Sequence, residues 1–525
     1  EPRSPPWVAV PAGNSHNPGG PPPPPPPRRR RRPCTMTHSP PEAGPARGGH
    51  HETCPEDRVP WREKLGLGLG NAAAGCPATL HTLINPIFNM TLGMSPALIS
   101  TVLFIQRLWD AFTDPLIGQF SDNFRSRRGR RLPLMAASAL PMSALFFALW
   151  WFPRGAGETW LFFHLLVVSL AFYSVQTFYS MSLMGLRIEA TDDYHERTRV
   201  AMIAMVFGFV FQISSQWLFP LTRLEIFGDP VAGLRNVMLV VAALYLLLAL
   251  LPVRLCRERN YERVAARQPR LKLRESLRHV WHNPPLKRVV ASRLIESFGY
   301  NIVGMFAVYM NNYYVFGGDL QRAAWAYGFM GSAFMLSAVG CSVFVYPALS
   351  KRLGKKRTFQ IAVCVLMAGC LAKLVVYQPG LPWLQLVVLV SNGAAISGIA
   401  LMGASMLGDI ADYEEWRTGR RNEAFLASIL SWCDKAGSSL GSLICGFILV
   451  WIGFDAQTGA QGARTLGLMK FFYFLMPFAG ALAAFFIMRN YELDEDRVYE
   501  IKAELARRRA TSSTLPSTQP ASSLP

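Results

Sequence analysis

Apolar segments of about twenty residues recur along most of the chain, and no other feature of the sequence restricts the possible folds more. One such segment is long enough to cross a bilayer as a helix, so a chain with many of them is expected to be a polytopic membrane protein. We count twelve between Trp61 and Asn490. They span roughly 64–89, 96–121, 132–152, 160–186, 199–221, 233–253, 288–316, 324–350, 356–377, 382–411, 423–453 and 464–489. The sequence therefore predicts an all-α integral membrane protein with twelve transmembrane helices.

The loops between these segments alternate in charge. Arg125–Arg131 holds five arginines, the 254–287 connection holds ten Lys and Arg against three Glu, and Lys351–Arg357 holds five basic residues. The intervening loops hold almost none. Because cytoplasmic loops are enriched in Lys and Arg, both termini and the 254–287 connection are expected in the cytoplasm, with the protein in the plasma (inner) membrane.

Two similar basic turns lie six segments apart. Gly118–Arg131 follows the second segment and Pro347–Arg357 follows the eighth. A repeat of this kind predicts two pseudo-symmetric six-helix bundles. The expected parts are a disordered, Pro- and Arg-rich tail at 1–60, bundles at 61–253 and 288–490, a basic linker with an amphipathic helix at 254–287, and a cytoplasmic tail at 491–525.

Composition argues against other protein classes. The formal charge of +19 could suggest nucleic-acid binding, but the basic residues are spread over short loops instead of forming one patch. The nine cysteines show no C-x-x-C or zinc spacing. No nucleophile–base pair or phosphate-binding loop is visible, so neither an enzyme nor a cofactor is expected.

The second segment contains ionisable residues. Asp110 and Asp114 are four residues apart and therefore share a helix face, with Arg107 one turn earlier and Pro115 directly after. Ionisable groups in a membrane helix are costly and usually face a water-filled cavity that serves an ion or proton path. The alternative is a carboxylate pair that is salt-bridged within the bundle.

Lys435 is a lone cation inside the apolar eleventh segment. An unpaired ammonium there would cost about 3 kcal/mol or more. Asp434 is adjacent in sequence and so points to another side of the helix. Since the second and eleventh helices of a two-bundle carrier line one cavity, we expect Lys435 to pair with Asp110 or Asp114 until a cation displaces it.

Several motifs resemble those of the glycoside–pentoside–hexuronide:cation symporters, a branch of the major facilitator superfamily. The strongest is Asp110-x-x-x-Asp114-Pro115-x-x-Gly118-x-x-x-Asp122 with the arginine turn after it. The other matches are Glu189–Arg199, Asn312–Asp319, Asp409–Glu423 and Lys435. The resemblance implies the major facilitator fold and cation-coupled symport of a sugar, glycoside or related polar solute by alternating access.

The resemblance also implies a cation site. Asp110 and Asp114 would bind the coupling ion with Thr177 and Ser180, while Lys435 and Arg107 would couple the site to the solute. Oxygen ligands of this kind suit Na⁺. Since two neighbouring carboxylates repel each other's charge, protonation of one is the alternative.

The solute-binding residues of the family are only partly matched. Asn71 stands where the family has an acidic residue, and Ala204 and Met205 stand where it has an arginine. Polar and aromatic side chains could still hold a sugar, and the alternative for each is ordinary helix packing. The candidates are Asn71, Tyr173, Gln176, Tyr179, Asn301, Asn311 and Trp432.

Gating at the cytoplasmic face is expected from the two basic turns and the Asp409–Glu423 loop. The alternative for the arginines is a purely topogenic role. The candidate gating residues are Gly118, Asp122, Arg127, Arg128, Asp412 and Arg417.

Two other functions stay open at this point. Lysolipid carriers share the two aspartates and the lysine but lack the sugar anchors. A sensor with a transporter fold would no longer move solute, although nothing structural then requires Asp110, Asp114 and Lys435. Under the leading hypothesis the partners are a small-molecule solute, a monovalent cation and the bilayer, and the protein is a monomer that binds no nucleic acid.

Overall fold

The computed structural model describes residues 58–124, 126, 129–191, 193–258, 283–418, 423–458 and 461–514. In these ranges the chain is built from helices, and no β-strand occurs in them. Most of the predicted N-terminal tail and the predicted amphipathic linker helix lie outside the described residues.

The first half contains six long helical stretches. α1 comprises Trp61–Ala74, Cys76–Ile84 and a π-helical turn at Asn85–Thr91, and α5 comprises Tyr194–Ser215 and Leu218–Thr222. The other four are α2 (Pro96–Asn123), α3 (Arg131–Ala148), α4 (Glu158–Glu189) and α6 (Pro230–Leu255). Local signals fix several starts: Asp193 and Asp229 accept hydrogen bonds from the first-turn amides of α5 and α6.

The second half repeats this plan. α7 comprises Pro284–Tyr309 and a π-helical turn at Met310–Val315, and α8 begins with Leu320–Gly340 and Cys341–Val345. The helical run Tyr346–Val376 is divided by Gly354 (φ +75°) into the end of α8 and the helix α9. The remaining helices are α10 (Gln385–Thr418), α11 (Glu423–Trp451), α12 (Ala463–Arg489) and α13 (Glu495–Thr514).

Helix packing has an internal two-fold pattern. In the first half the main contacts join α1 to α5 and α6, α3 to α4 and α6, and α2 to α4. In the second half they join α7 to α11 and α12, α9 to α10 and α12, and α8 to α10, which are the same pairs six helices later. The halves meet where α2 packs on α11 and α5 packs on α8. This arrangement confirms the predicted pair of pseudo-symmetric six-helix bundles.

Hydropathy alone detects fewer crossings than the fold contains. Among the described residues, eight helical stretches are long and apolar enough to cross a membrane, and one of these, Leu320–Val376, contains both α8 and α9. The three others are α1, which is divided into three shorter pieces, and α2 and α7. Asp110 and Asp114 lie in α2, and Arg293 and Glu296 lie in α7. The polar residues of α2 and α7 are therefore the ones that bring ionisable groups into the interior.

Helix α13 lies within the segment 491–525, which was expected only as a tail. Val498, Ile501 and Leu505 are buried in the core of the second half, and α13 packs on α10. These residues recur at helical spacing and form one apolar stripe, which explains why this segment docks on the bundle.

Candidate functional site

The central feature of the interior is an ion-pair cluster that joins the two halves. Lys435 of α11 lies with its Nζ 2.9 Å from Oδ2 of Asp110 and donates a hydrogen bond to Oδ2 of Asp114. Both aspartates come from α2, and their four-residue spacing places them on the same side of that helix. The pairing predicted for Lys435 is therefore confirmed. We call Lys435, Asp110 and Asp114 the lysine cluster.

The other oxygen of each carboxylate faces α4. The Thr177 hydroxyl lies 3.5 Å from Oδ1 of Asp110 and 3.5 Å from Oδ1 of Asp114. Ser180, also predicted here, donates its hydroxyl hydrogen to the Thr177 carbonyl at 3.3 Å and is bound to its own helix. Three hard oxygens, two from the carboxylates and one from the Thr177 hydroxyl, thus lie together, while Lys435 contacts the other oxygen of each carboxylate.

Arg107 connects this cluster to the cavity wall. Its guanidinium lies 3.9 Å from Oδ2 of Asp110 and donates to Nε2 of His81 at 3.1 Å. The Tyr173 hydroxyl lies 3.1 Å from the same nitrogen. Because Nε2 accepts from Arg107, the ring proton of His81 belongs on Nδ1. His81 was not predicted as a site residue, although a histidine inside an apolar segment was an available signal in the sequence.

A central cavity of about 440 Å³ lies between the halves. Arg107, Asn301 and Asn311, which were predicted site residues, line it. Asn85 also lines it, is buried, and has an Oδ1 that accepts no hydrogen bond from any residue that the structure describes. Further polar lining comes from His81, Thr82, Gln212, Gln216, Tyr300, Tyr327, Tyr377, Gln385, Ser438, Ser439 and Ser442. The wall is thus rich in neutral amides and hydroxyls.

Four other predicted solute contacts lie between helices. Asn71 donates to the Ala204 carbonyl at 2.9 Å, Gln176 to Ala74 at 3.2 Å, and Tyr179 to Ala249 at 3.2 Å. Tyr173 holds His81, as described above. These residues do not appear in the wall of the central cavity, so their geometry is that of the packing alternative.

Trp432 is the remaining predicted solute contact. Its side chain is 60% exposed and belongs to the wall of neither the central cavity nor the cavity that Lys435 lines. Its role in solute binding stays a prediction.

The helix ends opposite the basic loops, which we call the far end, are held together across the halves. Asn312 donates to Sδ of Met90 at 2.9 Å, and the Trp217 indole donates to the Ser332 hydroxyl at 3.0 Å. Gln457 donates to the Asn89 carbonyl at 3.5 Å. Contacts of this kind close the far end of the cavity.

Comparisons with known proteins decide the family. Residues 66–495 match the model of the MFS/sugar transport protein family. The chain belongs to this family. The match confirms the resemblance found in the motifs, and because the family consists of transporters, it also confirms that the protein is not an enzyme.

Relatives and a solved structure agree with this assignment. A relative named as the uncharacterized symporter YjmB of Bacillus subtilis (strain 168) is 26% identical over 464 residues, which cover 86% of this chain and 96% of the relative. The isoprimeverose transporter of Lactiplantibacillus pentosus is 24% identical over 472 residues, covering 88% and 94%. The crystal structure of nucleoside transporter NupG is similar in fold, with a TM-score of 0.60, 16% identity and coverage of 82% of this chain and 100% of that chain.

The basic end of this MFS/sugar transport protein, where the arginine-rich loops lie, holds a buried ion-pair network. Arg131 lies 3.1 Å from Glu189 at the end of α4 and donates to the Ser121 hydroxyl at 2.7 Å. Arg130 also pairs with Glu189. Glu258 accepts from the first amides of α3 at 2.6–2.7 Å. Predicted gating residues are neighbours of this network in the sequence, but the network itself was not predicted.

The second half has a corresponding network. Lys355 lies 2.6 Å from Asp409 of α10, and Lys502 of α13 lies 3.7 Å from Asp412. Arg417, a predicted gate, lies 3.3 Å from Glu414. Among the other predicted gates, Gly118 lies in α2, whereas the side chain of Asp122 and residues Arg127 and Arg128 are outside the described residues.

A further cluster of charged residues, which was not predicted from the sequence, lies within the second half. Arg293 of α7 is 3.1 Å from Glu296 and 2.9 Å from Asp434 of α11. We call these three residues the arginine cluster. They line a cavity of about 560 Å³ together with Arg107 and Lys435. This cavity shares Arg107, Tyr300, Asn301 and Ser438 with the central one.

Proposed function

We propose that this protein is a symporter that couples a monovalent cation, Na⁺ or H⁺, to the movement of a sugar, glycoside or related polar solute by alternating access. The observation that carries this proposal is the lysine cluster. Its carboxylates belong to one half and its ammonium to the other, beside a polar cavity.

The charge balance of Arg107 and the two charged clusters supports a monovalent coupling ion. Three positive groups (Arg107, Arg293 and Lys435) face four carboxylates (Asp110, Asp114, Glu296 and Asp434). With all groups ionised the net charge is −1. Because uncompensated charge is costly within a membrane protein, one bound Na⁺ or one added proton makes the site neutral.

The chemistry of the cavity supports a neutral, hydroxyl-rich solute. Its volume of about 440 Å³ lies within the range of small-molecule sites, about 300–1,000 Å³. Amides and hydroxyls such as Asn301, Asn311 and Gln385 can donate to and accept from sugar hydroxyls. The unpartnered Oδ1 of Asn85 supplies a further acceptor. Since these groups are neutral, an uncharged solute leaves the balance above unchanged.

The expected transport cycle follows from where the halves touch. Contacts between α2 and α11 and between α5 and α8 join them, and rocking about these contacts would open each end in turn. We propose that both termini are cytoplasmic, that the protein is a monomer of the plasma membrane, and that the predicted gating residues act at the basic end.

Solute exchange in vesicles tests this proposal. Purified protein in liposomes preloaded with unlabelled solute should accumulate external labelled sugar or glycoside, and protein-free liposomes provide the background. The panel includes labelled lysolipids. We expect the exchange of a sugar or glycoside, and we expect an inward Na⁺ or proton gradient to accelerate this exchange. Exchange of lysolipids alone, or no exchange of any solute, would contradict the proposal.

A further inference from the structure

The arginine cluster has an imbalance of charge. Arg293 is the basic partner of both Glu296 and Asp434, at 3.1 and 2.9 Å. Two carboxylates therefore share one guanidinium, and the cluster has a net charge of −1 when all three are ionised. Glu296 is buried at 4% exposure. A buried excess of negative charge is unfavourable unless a cation compensates it.

Lys435 lines the same cavity as this cluster. Asp434 and Lys435 leave α11 in different directions because they are neighbours in sequence, but both side chains border that cavity, as Glu296 of α7 does. The Lys435 ammonium is bound to the aspartates of α2, yet its side chain is 26% exposed to the cavity, and that cavity is lined by Glu296 and Asp434 as well. A lysine side chain has a flexible four-carbon stem and a compact charge, so it can change partners by rotation. The arginine, held between two carboxylates, has no such freedom.

Displacement of Lys435 by a cation creates a need for a second partner. When a cation occupies the dyad, the ammonium loses two carboxylates at once, and an unpaired ammonium inside the bundle costs several kcal/mol. We propose that Glu296 and Asp434 form a second binding station for Lys435, which receives its ammonium when the coupling cation occupies Asp110 and Asp114. This inference rests on the proposed function.

The transfer of Lys435 would change the helix to which α11 is linked. In the structure described here Lys435 links α11 to α2 of the other half. Pairing with Glu296 would instead link α11 to α7 of its own half. These two helices are already in close contact, since a Cβ on Gly437 would lie 2.8 Å from the Leu294 carbonyl oxygen. Cation binding would thus remove a tie between the halves and strengthen one within a half, which frees the halves to move.

Cation binding by purified protein tests the inference without requiring transport. The readout is the rise in thermal stability with Na⁺ at fixed ionic strength, together with a pH titration without Na⁺. Glu296→Gln should weaken the apparent affinity for the coupling ion about tenfold, within the range typical of coupling between sites. Asp434→Asn is the second variant, because its side chain is 40% exposed and the substitution preserves folding if Glu296→Gln does not.

Two comparisons make the test specific. In a Lys435→Met background, Glu296→Gln and Asp434→Asn should each change the affinity less than twofold, because the lysine that needs the second station is gone. Glu225→Gln removes an exposed carboxylate in the short turn Glu225–Phe227 and should have no effect in either background.

The failures of the two proposals differ. If the wild-type protein gains no stability from Na⁺ or from protons, the cation site itself is wrong and the inference falls with it. If the wild-type protein responds but both variants shift the affinity less than twofold, the proposed function stands and the second station is wrong. An equal shift with and without Lys435 would also overturn the second station, since it would reveal only a long-range effect of charge.

Discussion

The lysine cluster and the arginine cluster contain the same charges, but the lysine cluster joins the two halves and the arginine cluster lies within one half. Each contains one basic side chain between two carboxylates. Lys435 of the first cluster and all three residues of the second cluster line one cavity. In the lysine cluster the partners come from different halves. In the arginine cluster all three residues belong to the second half, and Arg293 and Glu296 lie one turn apart on α7.

The difference follows from the chemistry of the two bases. A guanidinium donates through two nitrogens at fixed geometry, as Arg293 does to Glu296 and Asp434, whereas an ammonium is a point charge on a flexible stem. The arginine cluster is therefore suited to hold α7 and α11 together. The lysine cluster is suited to come apart when a competing cation arrives. Its position between the halves makes that separation a step in transport.

The largest expected effect is the loss of the arginine. Arg293→Met would leave two carboxylates without their base inside the bundle, and breaking a buried pair of this kind costs about 3–5 kcal/mol. Unfolding in denaturant should reveal this loss. Arg154→Met is the matched control, since Arg154 forms an exposed pair with Asp229 and its loss should cost at most about 1 kcal/mol. An equal loss in the free energy of unfolding for both variants would contradict the structural role assigned to Arg293.

A lysine–carboxylate pair outside the membrane provides a reference for the lysine cluster. Glu196 lies before the spanning part of α5 and accepts from Lys64 at 2.6 Å and from the Val59 amide at 3.0 Å. Burial opposes its ionisation, but these partners and Arg199 outweigh burial and hold the pKa of Glu196 below its usual 4.5. Glu196→Gln should lower the free energy of unfolding by about 1–3 kcal/mol at neutral pH.

The sign of the pH dependence follows from this lowered pKa. The stabilisation by Glu196 is fully present above pH 4.5 and is lost as the pH falls through the lower folded-state value. The difference between wild type and Glu196→Gln should therefore be constant above pH 4.5 and shrink below it. Denaturant melts across that range measure it. A difference that grows on acidification would contradict the assignment.

Removal of the displaceable lysine should strengthen cation binding. In Lys435→Met the dyad has no resident competitor, so the apparent affinity for the coupling cation should rise about tenfold, equivalent to about 1.4 kcal/mol. Lys64→Met removes the reference lysine and should leave the affinity unchanged. A fall in affinity in Lys435→Met, measured by stabilisation with cation, would mean that the lysine assists binding instead of competing.

The smallest expected effect separates two hydroxyls of α4. Thr177→Val removes the hydroxyl oxygen that lies 3.5 Å from both carboxylates. This weak ligand should contribute about 0.5–1 kcal/mol to the free energy of cation binding, so its loss should reduce the cation affinity a few-fold. Ser180→Ala should change it less, because the Ser180 hydroxyl is bound to its own helix. If Ser180→Ala had the larger effect, the site would lie one turn further along α4.

Local spacing explains which parts of the fold and site could be predicted from the sequence. Segment length predicts the crossings, and four-residue spacing predicts that Asp110 and Asp114 share a face. The cost of an isolated ammonium predicts that Lys435 needs a partner. The arrangement of two halves then identifies that partner.

The features that could not be predicted from the sequence depend on how each helix is rotated about its axis. Tyr179 and Trp432 were equally plausible as solute contacts, yet Tyr179 is buried against α6 and Trp432 is exposed, outside the wall of the central cavity. The pairing of Arg293 with Asp434 joins residues 141 positions apart, and no local pattern reveals it. The spacing of Arg293 and Glu296 at i and i+3 on one helix is a local signal for that ion pair.

The central claim is that Asp110 and Asp114 bind the coupling cation, and solute uptake driven by a cation gradient tests it most directly. Proteoliposomes containing wild type, Asp110→Asn, Asp114→Asn or the exposed control Asp229→Asn would be given an inward Na⁺ gradient or an inward proton gradient. Wild type and Asp229→Asn should show stimulated uptake with at least one gradient, while both dyad variants should show none despite normal insertion. Full stimulation in Asp110→Asn and Asp114→Asn would contradict the claim.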